Sequence, residues 1–157
     1  MNKLTIIFWL CTSVCEAQTS ETFSPSLLGI AVKNVDVESA WYTRNLGFSI
    51  REKMEFPQYD SLRIFILERN SFRLELIQKK DAFSIHKFLP DYDTFDSKLM
   101  GLDKIEFRVD HVDRWFDRLK QVGVKFRTKL MKDEKLREWS FIVEDAEGNF
   151  VQLMEKF

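Results

Sequence analysis

GIAVKNVD at residues 29–36 returns as IEFRVDHVD at 105–113, and FRLELIQ at 72–78 returns as FVQLMEK at 150–156. Val32 aligns with Val109 and Glu75 with Gln152, an offset of 77 residues each time (109 − 32 and 152 − 75). A repeat at fixed spacing marks a duplicated supersecondary unit whose copies bury apolar faces together. Working outward, each copy reads as a strand, an amphipathic helix and three more strands. In the first copy the strand is Leu27–Lys33, and the helix starts at Asp36 and stops at Gly47. Its later strands are Phe48–Met54, Ser61–Glu68 and Phe72–Gln78, with Asn70-Ser71 as a turn. In the second copy the strand is Asp103–Asp110, and the helix is Val112–Gln121, stopped at Gly123. Strands Val124–Thr128, Glu138–Glu144 and Phe150–Glu155 follow, the last two joined by Asp145–Asn149.

The chain of 157 residues suffices for one domain with a real core and is too short for two ordinary ones. Twenty-four basic and 25 acidic residues leave a net charge of −1, which argues against a nucleic-acid partner or a polybasic membrane surface. Residues 1–17 read as a secretory signal: Lys3, an apolar run Leu4–Leu10, and Cys15-Glu16-Ala17 before the cut. The run is too short to span a bilayer. The expected product is an exported protein, periplasmic or extracellular. Lipid anchoring through Cys15 is the weaker alternative, because bulky Val14 precedes that cysteine. Both cysteines, Cys11 and Cys15, fall in this segment, so the processed chain would have no thiol for disulfides or metal thiolates. Residues 18–25 form a polar tether.

Three stretches carry a family resemblance: VKNVDVESAWYTRNLGF (32–48), GLDKIEFRVDHVD (101–113) and DAEGNFVQLME (145–155). In this order and spacing they resemble the glyoxalase/bleomycin-resistance/dioxygenase, or vicinal-oxygen-chelate, superfamily over residues 27–157. The resemblance implies an α+β fold of two tandem βαβββ modules that form a curved, cup-shaped mixed sheet with helices outside. It implies a single domain at 26–157: module one at 26–79, a connector at 80–101 and module two at 102–157. Metal-dependent members hold a divalent cation on the first and last strands of each module. Carried over, those positions are Leu27, Glu75, Lys104 and Gln152. Leu27 has no donor atom, and Lys104 brings an ammonium, so neither a metal nor another cofactor is expected. His86, in the connector, and His111, at a helix start, are not expected to be ligands.

Strand alternation places Arg73, Glu75, Lys104, Glu106, Arg108 and Gln152 on the cup face, opposite small apolar residues Leu27, Gly29 and Ala31. These six polar residues are the candidate ligand-binding set. Glu75 and Lys104, expected to pair across the vacated metal position, are the candidates for any reactive role. The leading expectation is a metal-independent binder of a small polar or anionic-aromatic molecule. One alternative is a lyase, isomerase or dioxygenase-like enzyme with a remodelled site. Another is a degenerate domain kept for protein contacts. A homodimer is in keeping with the resemblance. No dinucleotide fingerprint, phosphate loop, zinc-protease motif or nucleophile elbow occurs.

Overall fold

A computed structural model describes residues 24–93 and 100–157; the expected signal segment and most of the tether lie outside them. Module one contains β1 (Leu28–Val32), α1 (Val35–Leu46), β2 (Ser49–Phe56), β3 (Leu62–Arg69) and β4 (Phe72–Gln78). A 3-10 turn at Ile85–Lys87 lies in the connector. Module two contains β5 (Ile105–Arg108), α2 (Val112–Gln121), β6 (Met131–Asp133), β7 (Glu138–Glu144) and β8 (Phe150–Lys156). Each module has a four-stranded sheet, ordered β1-β4-β3-β2 and β5-β8-β7-β6, with the first strand parallel to the last. The duplication read from the 77-residue offset is therefore a duplication of topology, in two curled mixed sheets.

Local chemistry sets the element ends. Asn34 rather than Asp36 caps α1, its side-chain oxygen accepting from the Asp36 and Val37 N–H groups at 3.1 Å. Asp36 lies in the first turn, where negative charge suits the helix dipole. Gly47 ends α1 with φ +69°, a conformation that a side chain would strain. His111 does start α2, but its side chain makes no cap bond. The cap comes from β8: Glu155 accepts from the Val112 N–H at 2.9 Å, and that bond holds its carboxyl below the ordinary value.

The sixth strand departs from expectation. Val124–Thr128 forms no strand; it runs beside β7 with one bridge, Phe126 to Val143. The N–H groups of Arg127 and Thr128 both go to the Ile142 carbonyl, and the Thr128 hydroxyl accepts the Ile142 N–H. A side chain thus takes the place of a backbone partner and breaks the ladder. Regular pairing resumes at Met131–Asp133, against Glu138–Ser140.

One apolar core runs through both modules, with Tyr42, Phe65, Leu67, Leu74, Phe141 and Leu153 among its buried members. Burying each such side chain contributes about 1.5–3 kcal/mol. The modules meet through the helix-facing sides of their sheets. Phe107 of β5 lies 5.3 Å from Phe72 and 5.8 Å from Phe48, ring centre to ring centre and edge to face. Two polar seams flank this contact. On one, Glu147 accepts from the Lys33 N–H (2.9 and 2.8 Å) and the Asn34 N–H (2.7 Å). On the other, Arg118 donates to the Asn45 carbonyl at the end of α1, at 2.7 Å.

Candidate functional site

The end of β1, the start of β5, the connector and the β7–β8 turn line an open cavity of about 760 Å³. Ala31 and Lys33 come from the first strand and its exit, and Lys104 from the entry to β5. The connector supplies Phe83, His86 and Tyr92. The connector is thus a wall of the cavity as well as a link. His86 and Tyr92 stack edge to face at 5.6 Å, and the His86 ring nitrogen lies 3.4 Å from the Pro90 carbonyl. Asn149 and buried Phe150 close the side formed by the β7–β8 turn.

That turn is held by one carboxylate. Asp145 accepts from the Glu147 N–H (3.1 Å), the Asn149 N–H (2.8 Å), the Asn149 side-chain amide (2.9 Å) and the Tyr42 hydroxyl (3.1 Å). Glu38, one turn before Tyr42 on α1, is 0 % exposed, and its carboxyl is set against the Asp145 carboxylate and the Ala146 backbone. Burial, followed by the neighbouring Asp145 charge, pushes its carboxyl from 4.5 up to about 9. Burial and the same two carboxyls push the Tyr42 phenol above its ordinary range. A protonated Glu38 therefore sits behind the turn that forms one cavity wall.

The six sequence candidates divide into separate places. Lys104 donates to Gln152, and its ammonium lies 4.0 Å from Glu106. Gln152, only 4 % exposed, donates in turn to Glu138 at 3.4 Å, and Glu138 accepts from Lys156 at 2.8 Å. Module two thus carries a polar chain, Lys104–Gln152–Glu138–Lys156, in which buried Glu138 was not anticipated. Glu75 stays within module one, paired in register with Gly29 and Ile66. A side chain at Gly29 would meet the Glu75 carboxylate at 3.2 Å, so the missing Cβ leaves room for that carboxylate. The expected Glu75–Lys104 pair is not formed in this chain. The reason lies in the packing: the modules join through Phe72 and Phe107, on the faces opposite Glu75 and Lys104. Arg73 is exposed and donates to Ser26 at 3.3 Å. Arg108 is exposed too and lines a second, smaller cavity.

The profile of the Glyoxalase/Bleomycin resistance protein/Dioxygenase superfamily matches residues 25–153. The chain belongs to this superfamily. Solved structures repeat its fold. A glyoxalase family protein from Enterococcus faecalis is 21% identical, with a TM-score of 0.70 over 84% of this chain and 97% of that one. One from Bacillus cereus is 14% identical, with a TM-score of 0.70 over 89% and 98%. The fosfomycin resistance protein FosX from Listeria monocytogenes, solved with Mn(II) and sulfate, is 12% identical, with a TM-score of 0.62 over 87% and 95%. At such identities the likeness is one of fold. No curated protein sequence matches the chain.

The superfamily's metal positions do not suit a divalent cation here. Leu27 offers no donor, and the Lys104 ammonium occupies the Gln152 oxygen. The other end of that amide is spent on Glu138. Among the described residues, no three His, Cys, Asp or Glu side chains are grouped to hold a metal. A cation beside Lys104 would meet a like charge, and Glu75, the one carboxylate among the four positions, belongs to the other module.

Proposed function

We propose that this superfamily member is exported and binds a small polar or anionic-aromatic molecule, without a metal, in the cavity between β1, the connector and β5. The observation that carries the reading is the cavity itself. About 760 Å³ is ample for a small-molecule ligand, and such sites combine apolar walls with a few convergent polar groups. Phe83 and Tyr92 supply flat surface, while Lys33, Lys104 and His86 supply cationic or hydrogen-bonding groups for an anionic or polar end. Of the six sequence candidates Lys104 alone borders this space, so it is the residue expected to orient the ligand.

The test is mass spectrometry of small molecules released from the purified exported protein, followed by calorimetric titration of whatever is found. Ala31→Trp, which fills the cavity from an exposed strand position, should abolish retention, and Lys104→Met should weaken it. Retention unchanged in Ala31→Trp would sink the reading. Elemental analysis of protein purified without chelators should find no stoichiometric zinc, nickel, manganese or iron.

Export rests on the pattern of residues 1–17. The exported protein should have an intact mass that begins near Gln18, whereas a lipid-modified Cys15 would replace that expectation. We also propose a homodimer. Leu27, just before β1, is 44 % exposed, and Glu106 is exposed on the cup face of β5. Since the modules spend their helix-facing sides on each other, a second copy is the proposed cover for these opposite faces.

A further inference from the structure

The 77-residue offset also relates two cavities. Trp115 on α2 is the counterpart of Glu38 on α1 (115 − 38), and the β3–β4 turn is the counterpart of the β7–β8 turn. Where module one's helix buries a carboxyl behind its cavity wall, module two's helix presents an indole. Beside it lies a second cavity of about 330 Å³, at the far end of the inter-module contact. Its aromatic surface comes from Phe48, Phe72, Phe107 and Trp115.

The charges around it are uneven. Arg69 and Arg108 line the cavity, and Asp110 is the one carboxylate that does so. The Arg69 guanidinium lies 5.0 Å from the centre of the Trp115 ring, and that of Arg118 lies 3.8 Å from it. Two cations thus flank one indole, each spending donors on a carbonyl at the end of α1: Arg69 on Leu46 and Arg118 on Asn45. Burial and the like charge of Arg69 both depress the Arg118 pKa. Among the described residues, none of Arg69, Arg108 and Arg118 has a carboxylate within ion-pair distance. Arginines that outnumber the one lining carboxylate, Asp110, and form no ion pair with it leave positive charge against aromatic walls, which is complementary to one kind of molecule.

We propose that this second cavity binds a small aromatic carboxylate. The ring stacks among Phe72, Phe107 and Trp115, where offset or edge-to-face contact is favourable. The carboxylate takes the guanidinium of Arg108, whose planar fork matches a carboxylate's two oxygens, with Arg69 adding a second positive charge to the lining. The volume, at the lower end for small-molecule sites, selects a single ring over a larger ligand. The site is independent of the larger cavity and shares no lining residue with it.

The experiment is a benzoate titration of the ¹⁵N-labelled protein, following the Trp115 indole N–H resonance, assigned from its loss in Trp115→Phe. Saturable movement of that resonance at millimolar benzoate is expected. Benzamide, which lacks the charge, and cyclohexanecarboxylate, which lacks the flat ring, should each move it far less. Arg108→Gln alters an exposed side chain with no structural hydrogen bond and should weaken benzoate binding about tenfold, a factor equivalent to one missing charge-assisted contact. Arg69→Gln should weaken it as well, with thermal melting used to confirm folding. No saturable movement with benzoate would overturn the proposal. So would an equal response to cyclohexanecarboxylate, an undiminished response in Arg108→Gln, or shifts confined to Lys33, His86 and Lys104 at the larger cavity.

Discussion

Glu38 is wholly buried, its carboxyl set against the Asp145 carboxylate, which also accepts the Tyr42 hydroxyl, and against the Ala146 backbone. The folded chain keeps a proton on it up to about pH 9, while the unfolded chain releases that proton near 4.5. Between those values the folded state binds more protons, so stability falls as pH rises across the window and levels off above it. Glu38→Gln imitates the neutral acid without the ionisation penalty. At pH 7 it should stabilise the protein by up to about 3 kcal/mol, since each pKa unit corresponds to about 1.4 kcal/mol. Denaturant melts from pH 5 to 9 should show a falling midpoint for the natural chain and a flatter one for Glu38→Gln. A parallel pH slope in both proteins would mean that Glu38 does not hold the proton.

At the scale of elements, the β7–β8 turn does two jobs. Asp145 folds the turn on itself, and Glu147 reaches across to the N-terminus of α1. A carboxylate at that end meets unpaired N–H groups and the positive end of the helix dipole. Glu147→Ala should therefore loosen α1 at its start and cost about 1–2 kcal/mol, the range for losing a good cap. Faster hydrogen exchange at Lys33 and Asn34, with exchange at the α2 N-terminus unchanged, is the expected signature. Module two solves the same problem differently, with Glu155 of β8 capping α2 through the Val112 N–H. That carboxyl is held below its ordinary value, so its contribution is present above pH 4.5 and fades as pH falls through the lowered value.

At the scale of the whole molecule, two sheets share one core through their helix-facing sides, and the residues of the opposite faces keep partners within their own module. Lys104 belongs to Gln152 and Glu106, and Glu75 sits against Gly29. If a second copy covers these faces, sedimentation equilibrium should give twice the chain mass. Leu27→Arg, at an exposed position, should shift the population toward monomer without lowering the monomer's melting temperature. A monomer at all accessible concentrations would remove the second copy from the account.

Much of this architecture was legible in the chain. The 77-residue repeat exposed both modules, because an identical strand–helix–strand pattern imposes the same hydrophobic period twice. Alternation, which put Glu106 and Arg108 on the cup face, left Ile105 and Phe107 to the packed face of β5, since successive side chains in a strand must point to opposite sides. Asn34, one residue before the helical pattern, went unread as the cap of α1 because Asp36 carries an equally plausible oxygen. The break at Arg127-Thr128 was invisible, because it depends on where Ile142 of another strand presents its N–H. The candidate site was legible only in part. Sequence reached Lys104 but not its partnership with Gln152 and Glu138, and it bounded the connector at 80–101 without fixing which elements Phe83, His86 and Tyr92 would face. Periodicity and spacing are properties of the chain near itself, so the sequence alone determined the elements, their order and the faces they bury. How the two modules dock depends on Phe72 meeting Phe107 and Glu147 meeting the α1 N-terminus. Those are contacts between residues far apart in the chain, and only the tertiary structure decided them.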